Sequence, residues 1–104
     1  MVYTGKRRSE CASGTCVLDV ERGVVDEIEP QPFQTDTCIG DWHYDRDIVY
    51  KRPKTVIDLL VDIVSRNGNL LLNFPLPSNG MLDDKELAIL EGITAWMAIN
   101  SEAI

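Results

Sequence analysis

The sequence lacks several features that would define its class at once. No apolar run approaches the roughly 20 residues of a membrane-spanning helix, and the opening segment MVYTGKRRSE is too charged for a signal peptide. One histidine and three cysteines in 104 residues make a poor set of zinc ligands. The net charge of −7 leaves too little basic surface for nucleic acid. The composition therefore predicts no membrane span, no nucleic-acid partner, no metal and no other cofactor.

The cysteines and the basic residues leave alternatives open. Cys11 and Cys16 could form a disulfide bond within a short loop, or all three cysteines, with Cys38, could be reduced. A catalytic thiol is not indicated, because the sequence places no histidine partner beside any of them. The cluster Lys6-Arg7-Arg8 could bind a phosphate group, but it is more typical of a solvated loop.

The two halves of the chain differ in how regular they are. Residues 1–52 are interpreted as loops with short strands, whereas residues 53–104 carry strong helix and strand signals. Pro53 opens a helical pattern of apolar residues, as proline in a first turn often does. Asn67-Gly68 is predicted to end that helix, since glycine reaches the left-handed conformation without a steric penalty.

A strand and a second helix are predicted to follow. The apolar run Leu70–Leu72 does not alternate with polar residues, which indicates a parallel strand covered on both faces. Asp83 or Asp84 can cap the second helix, and Glu86 in its first turn favours the helix dipole. Helix, strand and helix in this order are the repeating unit of α/β folds.

One such unit cannot cover both faces of its own strand. The first half offers only three short strand candidates, at Val2-Tyr3, Cys16–Leu18 and Phe33–Ile39. They are too few for a full sheet, so we expect the chain to be part of a larger α/β barrel. The alternative is a small, complete α/β domain.

Four motifs resemble those of a known family. They are Val17–Gly23, Pro32–Tyr44, Asn67–Asn73 and Trp96–Ile104. In order and spacing they resemble the later part of the catalytic domain of α-L-fucosidases of glycoside hydrolase family 29. In that family a G-N-x-L-L-N segment forms a late barrel strand, and a following helix ends in W-x-x-x-N-G-E-A-I. Here Ser101 replaces the glycine of that last motif.

The resemblance implies a fold and a reaction. The fold is α/β, a partial (β/α)8 TIM-type barrel in which residues 1–104 supply only the last strands and helices of the C-terminal portion. The reaction is hydrolysis of terminal α-L-fucosyl linkages of a fucosylated glycan, with retention, which requires two carboxyl groups. The Asp nucleophile of the family is not found here. We therefore expect this chain alone to be inactive and to need the rest of the parent barrel. The location of the protein stays open; a parent enzyme of this kind would be secreted, periplasmic or lysosomal.

The second carboxyl group, the acid/base, is the candidate that this chain could carry. Many relatives have a Trp-Glu pair at this point, but here the pair reads Phe33-Gln34, and an amide cannot give up a proton. Glu21 is the first candidate for the role and Asp36 the second. For each, the alternative is a salt bridge or a cap. Glu27 and Glu29 are interpreted as parts of a solvated loop.

Three further residues are candidates for substrate binding. Arg22 could orient a catalytic carboxylate through a bidentate pair, or form a structural ion pair. Trp42 could cover the apolar side of a sugar ring, or pack within its loop. His43 could bind the sugar, although a lone histidine is more often structural. Asn73 ends the predicted last strand, where it could be part of the site or could equally bond to the backbone of a loop.

Two other functions remain open from the sequence. One is a non-catalytic carbohydrate-binding or structural module, with Trp42 as its aromatic platform. The other is an assembly module that uses the C-terminal helix as its interface, which a large exposed apolar face would indicate.

Overall fold

The computed structural model describes residues 3–10 and 15–104 and has an α/β architecture. Its elements are β1 (Thr4–Gly5), β2 (Val17–Glu21), β3 (Phe33–Cys38), α1 (Pro53–Ser65), β4 (Gly68–Asn73) and α2 (Asp84–Asn100), with 3-10 turns at Arg8–Glu10 and Ser101–Ala103. The strands form one sheet in the order β1-β2-β3-β4. β1 pairs with β2, and β2 with β3, in parallel. The predicted fold class is confirmed.

The three strand candidates of the first half are found with shifted bounds. The first strand lies at Thr4–Gly5 and not at the predicted Val2-Tyr3, of which Val2 falls outside the described residues. The second strand continues beyond the predicted Leu18 to Glu21, and the third ends at Cys38. The extension of β2 matters most, because it places Glu21 at the end of a strand.

The register of β2 and β3 gives the sheet one polar face. Asp19 lies opposite Gln34, and Glu21 lies opposite Asp36. Because side chains alternate along a strand, these four share one face. The opposite face carries Leu18 against Phe33, which is 1% exposed. The polar face carries the two candidate carboxylates, and the apolar face packs into the core.

The chain divides into two compact units, Met1–Thr37 with Asp62–Leu72 and Cys38–Val61 with Asn73–Ile104. In the first unit the buried apolar side chains include Phe33 and Ile63, 1% and 0% exposed. In the second unit the buried apolar side chains are Cys38, Ile39, Val56 and Ile89.

Helix α1 begins at the predicted Pro53, but the turn after it works differently from the prediction. Asn67, and not Gly68, takes the left-handed conformation, with φ 73°. The Asn67 side chain supports this by donating from Nδ2 to the Glu29 carbonyl at 2.9 Å. Gly68 is needed for packing, because a Cβ there would lie 2.4 Å from Cζ of Phe33.

Strand β4 holds the predicted Leu70–Leu72 triplet but is not covered on both faces by the described residues. Leu71, at its centre, is 54% exposed. β4 is also the last strand in the sheet order. An apolar strand with an exposed leucine and an open edge is a surface that other elements usually cover.

Helix α2 begins with a reciprocal capping box. Asp83 is the cap: its side chain accepts from the Glu86 backbone N–H, and the Glu86 side chain accepts from the Asp83 backbone N–H. Of the two predicted caps, Asp83 is therefore correct. No helix in residues 3–10 and 15–104 has the length and apolar character that crossing a membrane requires.

The cysteines adopt a mixed state. Cys16 is disulfide-bonded, and Cys38 is a buried thiol that takes no part in a disulfide. Of the two alternatives left open by the sequence, the one in which all three cysteines are reduced is therefore wrong. Cys11 lies outside the described residues.

Candidate active site

Two candidate carboxylates lie side by side on paired parallel strands, at the C-terminal end of β2. Glu21 is the last residue of β2, and its Cα partner on β3 is Asp36. Parallel strands end at the same edge of a sheet, so this edge gathers the side chains that follow them. Arg22 continues the pairing: its backbone N–H donates to the Asp36 carbonyl at 2.8 Å.

The backbone just after Glu21 adopts an uncommon conformation. Arg22 has φ 52°, in the left-handed region that non-glycine residues rarely occupy. The hydroxyl of Thr35 donates to the Gly23 carbonyl at 2.8 Å and fixes the next residue. Further on, Nη1 of Arg66 donates to the Val25 carbonyl at 2.7 Å. The loop that leaves the β2 end is thus held at several points.

A lysine joins the carboxylates of this polar face. Nζ of Lys6 lies 2.7 Å from Oδ2 of Asp19 and 2.6 Å from Oδ2 of Asp36. Gln34 donates from Nε2 to Oδ1 of Asp19 at 3.1 Å. These four residues, Lys6, Asp19, Gln34 and Asp36, are called the lysine cluster below.

The cluster stabilises its charges. Hydrogen bonds to Asp19 and Asp36 raise the pKa of Lys6. Burial would raise the pKa of Asp19, but the hydrogen bonds from Lys6 and Gln34 outweigh it and lower that pKa. The side chain of Asp19 is only 7% exposed, so its charge depends on these partners.

Two of the exposed basic residues also form ion pairs. Lys6, Arg7 and Arg8 are exposed, as the interpretation as a solvated loop predicts, but Lys6 binds two carboxylates and Arg8 pairs with Glu29. The pairing with Arg8 lowers the pKa of Glu29. Glu29 lies in the predicted loop with its side chain 17% exposed, and Glu27 is exposed as expected.

The two oxygens of Asp36 have different surroundings. Oδ2 accepts from Lys6, and Oδ1 is buried, with no hydrogen-bond partner among the described residues. The predicted alternative for Asp36, a salt bridge, is what the structure contains. Glu21, by contrast, is exposed.

A cleft adjoins Glu21. Its volume is about 440 Å³, and it is lined by Lys6, Arg8, Leu18, Asp19, Val20, Glu21 and Val25. Of the two candidate carboxylates, Glu21 lines this cleft and Asp36 does not.

Trp42 and His43 lie in the second unit, in the segment between β3 and α1. Trp42 is half-buried and its carbonyl accepts from Nδ2 of Asn73 at 3.2 Å. Asn73 therefore bonds to loop backbone, the alternative stated for it. His43 is exposed. A second, acidic cleft of about 310 Å³ is lined by residues that include Asp41 and Asp45, and neither Trp42 nor His43 lines it.

No motif in the sequence indicates the tyrosine-carboxylate group that lies at the start of α2. Oδ2 of Asp83 accepts from the hydroxyls of Tyr44 at 3.1 Å and Tyr50 at 3.4 Å. The pKa of Tyr50 is raised to about 12, first by burial and then by nearby Glu86 and Asp83. Burial likewise raises the pKa of Glu86, which is 0% exposed. This group anchors the segment before α1 to the cap of α2.

In the part of the chain that the structure describes, no three His, Cys, Asp or Glu side chains are grouped so as to hold a metal ion.

A family model described as alpha-L-fucosidase matches residues 2–102. The match covers nearly the whole chain.

The chain belongs to the α-L-fucosidase family.

Solved α-L-fucosidases share its fold. The α-L-fucosidase isoenzyme 1 of Paenibacillus thiaminolyticus is 29% identical, with a TM-score of 0.80 over 85% of this chain and 23% of that one. The enzyme of Vibrio sp. strain EJY3 is 35% identical, with a TM-score of 0.70 over 75% and 14%. The Thermotoga maritima α-fucosidase in complex with fucose is 24% identical, with a TM-score of 0.72 over 88% and 24%.

This 104-residue chain thus spans less than a quarter of the length of each of these three enzymes. Its sheet and helices correspond to a part of their TIM-barrel domain. A comparison with curated proteins gave no match.

The predicted site residues of this chain fall into two groups. Glu21, Arg22 and Asp36 lie together where β2 ends beside β3, whereas Trp42 and His43 belong to the second unit. The residue that the sequence did not single out is Lys6. Its only signal was the basic cluster after the first strand.

Proposed function

We propose that this chain carries the acid/base carboxylate of a retaining α-L-fucosidase, and that Glu21 is this carboxylate. In such a reaction one carboxyl group protonates the glycosidic oxygen while another attacks the sugar carbon. The first group must be reachable by the leaving-group oxygen and able to release a proton there. Glu21 fits this role by its place at the C-terminal end of a parallel strand.

The observation that carries the proposal is the contrast between Glu21 and Asp36. Glu21 is exposed and lines the cleft. Oδ2 of Asp36 is bound by Lys6, and Oδ1 has no exposed surface from which to pass a proton to a substrate. Of the two candidates, only Glu21 can meet a glycosidic oxygen without rearrangement of the cluster.

The proposed substrate is a fucosylated glycan. The family match and the fucose complex of the Thermotoga maritima enzyme support this choice. We keep Arg22 as the residue proposed to orient Glu21 or the sugar, since it follows Glu21 directly. Trp42 is proposed to cover the apolar side of the sugar ring and His43 to bind a hydroxyl group.

The nucleophile is proposed to come from the rest of the barrel. Retention requires a second carboxylate about 5–5.5 Å from the first. The open edge of β4 and the exposed Leu71 offer a surface that further strands and helices would cover. On this proposal the 104 residues alone do not hydrolyse fucosides.

The test is the substitution Glu21→Gln in the protein that carries this chain. Hydrolysis of α-L-fucosides with a poor leaving group should fall by roughly 10²–10⁴-fold, because the leaving oxygen is no longer protonated. Glu27→Gln is a matched control, since Glu27 is also exposed and lies in the loop after β2. It should leave the rate unchanged.

Two results would contradict the proposal. One is equal loss in Glu21→Gln and Glu27→Gln, which would mean that neither carboxylate is specific to the chemistry. The other is a loss confined to Asp36→Asn with a folded protein, which would return the role to Asp36.

A further inference from the structure

We infer that Lys6 is the positioning residue for Glu21: it ties β2 to β3 through Asp19 and Asp36, close to the end of β2, and so sets where the acid/base side chain starts. This inference rests on the proposed function of Glu21 and names a second residue for the same reaction. Lys6 does not itself touch the reacting atoms.

The first step is connectivity. Lys6 directly follows β1, and the register Gly5 opposite Leu18 brings it alongside Asp19. Its ammonium reaches Oδ2 of Asp19 on β2 and Oδ2 of Asp36 on β3. One side chain thus joins three neighbouring strands on the polar face of the sheet.

The second step is the relation of these partners to Glu21. Asp19 is two residues before Glu21 on the same strand face, and Asp36 is the Cα partner of Glu21. Any change in the spacing of Asp19 and Asp36 therefore moves the backbone from which Glu21 projects. The Arg22 N–H bond to the Asp36 carbonyl transmits the same change to the following residue.

The third step is charge. The side chains of Asp19 and Asp36 are 7% and 18% exposed, and the Lys6 ammonium lies between them. Without that cation two poorly solvated carboxylates would repel each other. The two strands would separate or draw in water here, and the backbone at Glu21, which lines the cleft, would shift.

The experiment measures kcat/KM for aryl α-L-fucosides whose leaving groups differ in acidity. A good leaving group departs without a proton, so only poor leaving groups report on the position of the acid. Lys6→Met should lower kcat/KM for a poor leaving group by up to about 100-fold, as a misplacement of about 1 Å can. It should change the rate for a good leaving group only a few-fold.

Two variants control for charge and for substitution itself. Lys6→Arg keeps a cation with several donors and should restore most of the lost rate. Lys54→Met removes a lysine on α1 whose side chain is 83% exposed and pairs with Asp58. It should change kcat/KM for neither substrate. If the role of Lys6 is merely structural, Lys6→Met should lower kcat/KM equally for both substrates.

The outcomes separate the two proposals. If Glu21→Gln shows no dependence on the leaving group, the assignment of Glu21 fails whatever Lys6 does. If the loss in Glu21→Gln depends on the leaving group, but Lys6→Met lowers kcat/KM equally for both substrates, the assignment of Glu21 stands and the positioning role of Lys6 is wrong.

A second variant covers the case in which Lys6→Met does not fold. Asp36→Asn retains the size of the side chain and leaves Lys6 paired with Asp19, so it loosens only the bond to β3. It should show a smaller loss of the same kind, confined to poor leaving groups. An equal loss for both substrates would overturn the inference.

Discussion

Substitution of Gly68 by alanine tests how tightly the first unit is packed. A Cβ at Gly68 would lie 2.4 Å from Cζ and 2.7 Å from Cε2 of Phe33, and 2.8 Å from Cγ2 of Ile63. Both neighbours are almost completely buried, at 1% and 0% exposure, so neither ring nor methyl group can move into solvent. Overpacking of this kind costs about 1–3 kcal/mol.

That cost is a large part of the stability of a small domain, which is roughly 5–15 kcal/mol in total. Urea unfolding followed by circular dichroism should show a midpoint lowered by about 1 M, given a slope of about 1–3 kcal/mol per M. Gly23→Ala is the matched control, because the nearest side-chain atom to its Cβ is 3.4 Å away. It should shift the midpoint little.

A double substitution decides whether Phe33 is the cause. Phe33→Leu shortens the side chain where the new Cβ would clash, at the expense of a cavity. The pair Gly68→Ala and Phe33→Leu should therefore cost less than the sum of the two single changes. Strict additivity, or an unchanged midpoint for Gly68→Ala alone, would refute the packing argument.

The remaining predictions concern Glu86 and Asn67. Burial raises the pKa of Glu86, so its contribution to stability is present below the unfolded value of about 4.3 and is lost as pH rises through the folded value. Glu86→Gln, which keeps an acceptor for the Asp83 N–H, should gain stability relative to the native protein as pH rises from about 4 to 7; urea titrations in which the difference stays constant would contradict this. Asn67→Gly should be less destabilising than Asn67→Ala by roughly 1 kcal/mol, because only the alanine is strained at φ 73°. Equal thermal midpoints for these two variants would show that the hydrogen bond to Glu29, which both lose, is the whole effect.

The sequence predicts those features that depend on neighbouring residues. The start of α1 at Pro53 and the strand after Asn67 follow from local rules of helix and turn formation. The same rules narrow the cap of α2 to Asp83 or Asp84, of which the structure has Asp83. The family motifs then give the fold class of the whole, which the family match and the solved structures support.

The features it does not predict depend on contacts between distant residues. Lys6 and Asp36 are 30 positions apart, so their ion pair depends on the order and register of three strands. Glu86 has an ordinary first-turn position, and only packing makes it 0% exposed. At position 68, a left-handed backbone and close packing would both favour glycine. The structure shows that close packing is the reason, since a Cβ there would clash with Phe33.

The lysine cluster also bears on why the sheet adopts a single register. A shift of one residue between β2 and β3 would turn Asp36 from the polar face to the face of Phe33. It would lose its lysine, and an unpaired buried charge costs about 3–5 kcal/mol. A partly exposed ion pair contributes little net stability, yet it penalises alternatives in which a carboxylate is buried without its cation. The same charges that fix the register therefore determine that Glu21, and not a neighbouring residue, lies opposite Asp36 at the edge where parallel strands build their sites.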